Sequence, residues 1–310
     1  MISRRNIRVK VMQTLYTLSC MEHVGEEQVK LAGRVLNDKL EHVLDIFTVS
    51  VLYCVRIAQF AETDAAQRSA RLLALEEDKN IRTYIADNAL VRKIATNTSF
   101  IEKVKNNKLE RFVDTDWVRK VFQSLSRTDE YQAYNEQAQH SPAQDKEIIR
   151  FIWEKQILEN EGLVSFFNDE LPGWEDDQEL IVMLMQNFFT GNGKINFSDL
   201  LSSEKKEYAH DLLLCVLEKD EYCMSLITPR LTNWDKDRVA LIDMLLLKMG
   251  VCEFLFFPTI PTKVTINEYI DVAKQYSTPQ SGQFVNGVLD NILKDLVKDG
   301  KVQKQDRGTR

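Results

Sequence analysis

The first ten residues carry four basic side chains, Arg4, Arg5, Arg8 and Lys10, and no acidic residue occurs before position 22. This end of the chain therefore has a formal charge of +4. The guanidinium of arginine is planar and always charged, so it can hold a phosphate through two parallel hydrogen bonds and can stack on an exposed base. Basic residues are also common on ordinary solvated helix faces, so both interpretations stay open from the residues alone.

No set of residues has the spacing of a catalytic or metal site. Residues 190–199 are similar to the second half of a calcium-binding loop, but placing Gly193 at the turn puts Phe188 at the first ligand position. Calcium needs roughly six to eight oxygen ligands, and phenylalanine supplies none. Gly191-x-Gly193 lacks the third glycine and the preceding strand of a dinucleotide-binding loop. The sequence predicts no catalytic residue, no metal ion, no cofactor and no enzyme activity.

Composition predicts an all-α protein. The 310 residues include only 11 Gly and 6 Pro, and long stretches lack turn signals. A net charge of −7 argues against a protein that coats nucleic acid with its whole surface, but it permits one basic patch on an acidic body. The five cysteines are scattered without a C-x-x-C pair, and no signal peptide precedes them, so we expect reduced thiols in the cytoplasm.

Helical periodicity identifies the elements that would position these residues. Apolar side chains recur on one side of residues 1–22 and again over residues 27–60. The most apolar run, residues 239–257, contains three ionisable side chains, which predicts a buried core helix rather than a membrane span. Thr265 and Glu268 have capping-box spacing and predict a helix start at Thr265.

The segment from residue 261 to residue 290 carries the most specific pattern. It reads P-T-K-V-T-I-N-E-Y-I-D-V-A-K over residues 261–274 and F-V-N-G-V-L-D over residues 284–290. This order resembles the C-terminal signature of the NusB family of transcription antitermination factors, which are small all-helical RNA-binding proteins. The opening S-R-R-N-I-R at residues 3–8, followed by M-Q-T-L-Y at residues 12–16, resembles the arginine-rich first helix of the same family.

The resemblance implies a NusB-like helical bundle with an additional helical insert. Residues 1–22 would form the arginine-rich helix of the bundle, and residues 23–204 the insert or a second lobe. Residues 205–300 would complete the bundle, and residues 301–310 would form a basic polar tail.

The function that the resemblance implies involves no chemical step. Such proteins pair with ribosomal protein S10, acting as NusE, and the pair binds boxA, a single-stranded RNA element of ribosomal RNA leaders. The complex joins other Nus factors on RNA polymerase and suppresses premature termination.

The resemblance also predicts which side chains contact RNA. They are the arginines of the first helix and polar or aromatic side chains near the C-terminal signature: Arg4, Arg5, Arg8, Gln13, Lys263, Asn267, Lys274, Ser281, Gln283, Phe284 and Asn286. Asn6 stands where many members carry another arginine, which would weaken the patch. Two interpretations of Phe284 stay open, because it is either a platform for base stacking or an anchor of the core.

Two other functions stay open. A helical protein–protein scaffold would use the large insert and would not bind RNA, so measuring boxA RNA binding with and without S10 distinguishes it. An RNA-binding domain associated with a ribosomal RNA methyltransferase would need a further domain with a glycine-rich cofactor loop and a catalytic cysteine. The sequence ends at Arg310 without such a domain, so we expect no methyltransferase.

Overall fold

The computed structural model describes residues 2–21, 26–70, 81–191, 196–197, 199–231, 239–302 and 304. Within these residues the regular structure is helical, without a strand, which confirms the all-α fold class. The centre of the loop at residues 190–199, and all but residues 301, 302 and 304 of the C-terminal tail, lie outside the described residues.

Fourteen α-helices are present in the described residues. In chain order they are α1 (Arg4–Ser19), α2 (Glu26–Ser69), α3 (Ala89–Ala95), α4 (Thr98–Asn106), α5 (Thr115–Leu125), α6 (Asp129–Glu136), α7 (Pro142–Phe151), α8 (Glu161–Glu170), α9 (Trp174–Thr190), α10 (Ser203–Glu218), α11 (Asp220–Ile227), α12 (Leu241–Phe256), α13 (Thr262–Tyr276) and α14 (Ser281–Lys298). Short 3-10 helices lie at Leu109–Phe112 and Thr228–Arg230, and a π-helix at Ile152–Ile157.

The chain divides into two compact units. The terminal unit comprises Ile2–Leu40 and Leu201–Arg310, and the central unit comprises Glu41–Leu200. The two ends of the chain therefore fold together, although about half of the sequence separates them. The domain boundaries inferred from the sequence stay a prediction.

α1 starts at a capping box formed by Ser3 and Asn6. The Ser3 hydroxyl accepts a hydrogen bond from the Asn6 backbone N–H, and the Asn6 side-chain oxygen accepts one from the Ser3 N–H, both at 3.2 Å. These bonds satisfy two backbone donors that a helix start leaves free. Asn6 therefore fixes the start of α1, at the position where many members of the NusB family carry an arginine. More than half of α1 is buried within the terminal unit, so it is a core helix.

α12 is the most apolar helix of the terminal unit. It begins at Leu241, and the prediction of a buried core helix over residues 239–257 is confirmed, since ten of its residues are buried. Two of its ionisable side chains, Asp243 and Glu253, are buried with them. A buried carboxylate is costly unless it is paired or hydrogen-bonded, so both require partners from neighbouring helices.

α13 begins one turn earlier than predicted. The helix starts at Thr262 with Pro261 at its N-cap, and Thr265 lies inside it, fully buried. The Thr265 hydroxyl donates a hydrogen bond to Glu253 Oε2 at 2.8 Å. The capping-box prediction for Thr265 was wrong because this hydroxyl serves a buried carboxylate of another helix.

α2 has the length and apolar content of a membrane span over Val29–Ser69. However, 78% of its most apolar window is buried inside the protein. A helix that is apolar on most sides and covered by other helices is typical of the core of a globular protein. α2 is therefore a core helix, and it contributes residues to both units.

Aromatic side chains form much of the core of the central unit. The Phe167 ring lies 5.0 Å from that of Tyr53 and 4.8 Å from that of Trp174, in edge-to-face arrangements. Phe47 and Phe197 stack with ring centroids 6.0 Å apart. Such pairs favour a single packed arrangement beyond the area they bury. The described part of the segment predicted as a helical insert is thus folded and helical.

The contact between α12 and α14 depends on a glycine. A Cβ added at Gly250 would lie 2.8 Å from Leu289 Cδ2, whereas one added at Gly287 would meet no atom of the described residues within 4 Å apart from its chain neighbours and the backbone of its own helix. We expect Gly250→Ala to be less stable than Gly287→Ala by about 1–3 kcal/mol, because overpacking displaces a buried leucine. Gly287→Ala should be slightly more stable than the parent, by roughly 0.5–1 kcal/mol, since alanine favours a helix.

Urea unfolding followed by circular dichroism measures both differences. Equal stability of the two variants would show that Leu289 moves aside without cost, and would contradict a close packing of α12 on α14.

Candidate functional site

Arg8 forms a fully buried ion pair with Glu253. Its Nε donates to Glu253 Oε1 at 2.7 Å and its second terminal nitrogen donates to Oε2 at 3.1 Å, a two-point contact of guanidinium and carboxylate. The exposed fractions of the two side chains are 2% and 0%. A third nitrogen of Arg8 lies 3.4 Å from Glu268 Oε2. Arg8 thus connects α1 to α12 and α13 from inside the terminal unit.

Three hydroxyl groups complete the surroundings of Glu253. Tyr208 of α10 and Tyr269 of α13 donate to Oε1 at 2.6 and 2.9 Å, and Thr265 of α13 donates to Oε2 at 2.8 Å. The carboxylate therefore accepts five hydrogen bonds, two of them from a cation. This number is close to what its lone pairs can accept, so the buried charge is well compensated.

The titration of this cluster follows from its burial. Burial opposes the charge of Arg8, but the hydrogen bond and charge of Glu253 outweigh it and raise the pKa of the guanidinium. Burial and then the negative charge of Glu253 raise the pKa of both Tyr208 and Tyr269. Both phenols therefore stay protonated donors at neutral pH.

The position of Arg8 does not agree with the prediction that it contacts RNA. A guanidinium that is 2% exposed, and whose donors face Glu253 and Glu268, presents no surface to a phosphate. Sequence reasoning placed Arg8 on the surface because the basic residues around it have no acidic residue among them. The signal that would have corrected it is Glu253, a carboxylate within an apolar helix, since a buried carboxylate needs a cation or hydrogen-bond donors from neighbouring helices.

Arg4 and Arg5 are the accessible arginines of α1. The Arg4 side chain is 32% exposed, pairs with Glu204 at 2.7 Å and lies over the Tyr208 ring at 5.5 Å. The Arg5 side chain is 42% exposed and pairs with Asp271 of α13 at 3.2 Å. Sequence reasoning did not identify Glu204, Tyr208 or Asp271, because nothing in their local patterns links them to α1.

The exposed stripe of α13 lies next to Arg5. Lys263, Asn267 and Lys274 are exposed and, with the half-buried Asp271, recur at the spacing of one helix face. The Lys274 side chain extends over the start of α14, where its Cγ would lie 3.0 Å from a Cβ added at Gly282. Arg5, the α13 stripe and the start of α14 thus adjoin one another.

The start of α14 divides the remaining predicted residues into exposed and buried ones. Gln283 and Asn286 are exposed, and Gln13 of α1 is half-buried. Ser281 is 1% exposed, and its hydroxyl donates to the buried Asp243 Oδ2 at 2.7 Å. Phe284 is 7% exposed. The positions of Ser281 and Phe284 therefore favour the core interpretation. The Ser281 hydroxyl binds a buried carboxylate, and the buried Phe284 ring presents no face on which a base can stack.

The C-terminal tail returns to the end of α12. The Lys304 ammonium donates to the carbonyl oxygens of Glu253 at 2.6 Å and of Phe257 at 3.0 Å. These carbonyls lie at the C-terminal end of a helix, where a cation satisfies free acceptors and interacts favourably with the negative end of the helix dipole. The tail thus contacts the residue that pairs with Arg8.

Residues 164–294 match the sequence profile of the NusB family. This range includes Tyr208, Glu253 and the whole of α13, whereas α1 lies outside it. The buried ion pair therefore joins the unmatched first helix to the matched region.

Three relatives are each a transcription antitermination protein NusB. The protein of Salinibacter ruber is 43% identical over 33% of this chain and 64% of its own length, and that of Methylacidiphilum infernorum is 36% identical over 38% and 88%. The protein of Chloroherpeton thalassium is 34% identical over 33% of this chain and 49% of its own length. The match thus spans between about half and nine-tenths of these relatives.

Among solved structures, NusB of T. maritima is 31% identical to this chain. That match covers 36% of this chain and 82% of the T. maritima chain, with a TM-score of 0.29.

Two glutamates bind arginines of α1, and the buried ion pair predicts that substituting Glu253 destabilises the protein far more than substituting Glu204. Glu253→Gln leaves Arg8 charged and buried without its fully buried, two-point partner, with only Glu268 at 3.4 Å as a counter-ion, and we expect it to destabilise the protein by about 3–5 kcal/mol. The matched control is Glu204→Gln, which removes the exposed partner of Arg4 and should change stability little, because exposed ion pairs contribute little.

Thermal unfolding of the three proteins measures this difference. If Glu253→Gln melted at the temperature of the Glu204→Gln control, the network around Arg8 would not be what holds α1 in place.

Proposed function

Because this chain belongs to the NusB family, we propose that it is a transcription antitermination factor that binds RNA at the surface of its terminal unit. The RNA is single-stranded, of the boxA type found in ribosomal RNA leaders, and it is bound together with ribosomal protein S10. The observation that carries the proposal is the return of α1 to the family-matched region, where Arg8 binds Glu253 and leaves Arg4 and Arg5 accessible.

The RNA-binding surface that we propose consists of the accessible cationic and polar side chains described above. We call it the RNA surface, and it comprises Arg4, Arg5, Gln13, Lys263, Asn267, Lys274, Gln283 and Asn286. Cations on this surface can neutralise phosphates, while amides can bond to the edges of unstacked bases. Arg8, Ser281 and Phe284 support this surface from inside.

The acidic partners of the arginines are compatible with RNA binding. Glu204 and Asp271 pair with Arg4 and Arg5 at partly exposed positions, where such pairs contribute little free energy. A phosphate can therefore replace a carboxylate at small cost. These carboxylates also repel phosphate, so we expect modest affinity from this chain alone and stronger affinity with S10, whose own surface adds contacts.

The proposed action needs no bond making or breaking and no cofactor. Binding of boxA by this chain and S10 would present a protein–RNA surface to other Nus factors and RNA polymerase in the cytoplasm. The contribution of the chain would be to hold RNA in one place while transcription continues past a terminator.

A protein scaffold without RNA binding is the second candidate function. The observation that favours it is that both accessible arginines of α1 already have a carboxylate partner, in a chain with a net charge of −7. The same binding experiment distinguishes the two functions, because a scaffold would bind S10 or another protein without affinity for boxA RNA.

Removing the two accessible arginines should weaken RNA binding in a salt-dependent manner. We expect Arg4→Gln and Arg5→Gln each to lower boxA affinity and to reduce the slope of log affinity against log salt by roughly one unit, the effect of one lost phosphate contact. Fluorescence anisotropy with labelled boxA RNA at several salt concentrations, with and without S10, measures both quantities.

Arg150→Gln is the matched control. Arg150 is an arginine of the central unit with a similar exposed fraction, 44%, and it also pairs with a glutamate, Glu154, at 2.8 Å. This variant should keep the parent's affinity and slope. An Arg4→Gln/Arg5→Gln double variant that binds boxA like the control would contradict the assignment of the RNA surface.

A further inference from the structure

The central unit contains a basic segment. Residues 89–127 carry nine basic and four acidic side chains, a formal charge of +5, in a chain whose net charge is −7. The rest of the chain therefore has a formal charge of −12. Positive charge that is concentrated in one part of an acidic protein attracts a polyanion to that part.

The acidic side chains that follow α4 in this segment already have partners. Glu110 pairs with Arg56, and Asp116 pairs with Arg119 at 3.0 Å. Asp114 is the N-cap of α5, where its side chain accepts a hydrogen bond at 2.8 Å from the backbone N–H of the third residue of the helix. These three carboxylates are therefore not the ion-pair partners of the remaining cations of the segment.

Between residues 105 and 120, four cations form no ion pair within the described part of the chain. They are exposed, and we call them the central patch: Lys105, Lys108, Arg111 and Lys120. In the terminal unit, by contrast, Arg4 and Arg5 each pair with a carboxylate. The central patch therefore offers positive charge that no carboxylate has to release first.

The backbone brings three members of the central patch close together. The Lys108 N–H donates to the Lys105 carbonyl at 3.2 Å, and the Arg111 N–H donates to the Lys108 carbonyl at 3.4 Å. These two bonds form successive tight turns between the end of α4 and the 3-10 helix at Leu109–Phe112. The spacing of the three cations is thus set by the fold of the chain.

Two members of the central patch lie over aromatic rings. The Arg111 guanidinium is 4.6 Å from the centre of the Phe112 ring, and the Lys120 ammonium is 4.5 Å from that of Trp117. The Trp117 ring in turn lies 6.3 Å from the Phe166 ring of α8. Contacts of a cation with a ring restrict where the cation points, so less side-chain freedom is lost when it binds an anion.

Lys108 has an unfavourable backbone conformation. Its φ is 54°, and it is the only residue other than glycine with a positive φ in the described part of the chain. Glycine or asparagine adopts this left-handed region at lower cost than lysine does. Backbone strain of this kind is found preferentially at functional sites. A lysine at this position therefore points to a use for its charge.

We propose that the central patch is a second RNA-binding surface, which holds single-stranded RNA through its phosphates. Contacts to phosphate carry no sequence information, so binding here is independent of the RNA sequence. The exposed Arg111 guanidinium can also contact an unstacked base. The inference rests on the proposed function in one respect, the choice of RNA as the polyanion, and it goes beyond that function by giving the central unit a task.

The test measures binding of the whole chain to a labelled oligouridylate, a single-stranded RNA without the boxA sequence. The patch variant replaces all four cations: Lys105→Gln, Lys108→Asn, Arg111→Gln and Lys120→Gln. Because each phosphate contact on a single strand contributes about 0.7 to the slope of log affinity against log salt, we expect this slope to fall by roughly two to three units and the affinity to fall about tenfold. Fluorescence anisotropy at several salt concentrations measures both quantities.

A control variant removes the same amount of charge from exposed cations that pair with nearby carboxylates: Arg150→Gln, Lys155→Gln, Lys294→Gln and Lys301→Gln. It should keep the parent's slope and lose less than about twofold in affinity, since distant exposed charges are screened by salt. Equal losses in the patch variant and the control variant would show that net charge alone governs binding, and would overturn the proposal.

The single variant Lys108→Asn separates binding from folding. Asparagine tolerates the left-handed backbone, so this variant should melt at or above the temperature of the parent. It should nevertheless lose about 0.7 units of salt slope with oligouridylate, because one phosphate contact is gone. An unchanged slope in this variant would contradict the role of Lys108 as an RNA contact.

The same proteins distinguish a failure of this inference from a failure of the proposed function. Oligouridylate binding that is lost in the patch variant, in a chain that shows no preference for boxA RNA, would support the central patch and contradict the proposed function. BoxA binding that depends on Arg4 and Arg5, with oligouridylate binding unaffected in the patch variant, would overturn the central patch alone. A patch variant that lost binding to oligoglutamate and kept its RNA affinity would assign the patch to an acidic protein segment and also overturn the proposal.

Discussion

The ion pair of Arg8 and Glu253 is the interaction on which the arrangement of the terminal unit depends. Each side chain would be costly to bury alone, because an isolated charge loses its hydration. The two-point contact and the hydroxyls of Tyr208, Tyr269 and Thr265 compensate that loss. Four helices, α1, α10, α12 and α13, must hold their places for this set of contacts to form. Apolar packing alone is less directional, so the network specifies how α1 is rotated against its neighbours.

The orientation of α1 determines which arginines face the solvent. With Arg8 directed into the unit, Arg4 and Arg5 lie at the edge of the helix, beside Glu204 and Asp271. The same network explains how a helix at the start of the chain joins a family-matched region that begins at residue 164. The central unit can therefore lie between the two parts in the sequence without separating them in the fold. Its task is a separate question, because the family match enters the central unit only at its end.

Periodicity and motif reasoning predicted the helices well and the side-chain roles less well. The burial of the apolar run that forms α12 was predictable, since a run of this length and composition has few alternatives to a buried helix. The partners of Arg8 were not, because a contact between residues 8 and 253 has no local signal. Thr265 shows the same limit of local patterns, as its capping-box spacing was overridden by a tertiary hydrogen bond. Phe284 could not be assigned from the sequence, because an aromatic residue at a helix start suits both a core and a base platform.

The central claim, that RNA binds at the terminal unit on the surface around α1 and α13, is tested most directly by hydrogen–deuterium exchange of the whole chain. Exchange is compared for the chain with S10, in the presence and absence of boxA RNA. The account predicts that RNA slows exchange in the first turns of α1, along α13 and at the start of α14. RNA-dependent protection confined to the central unit, with these three segments unchanged, would contradict it.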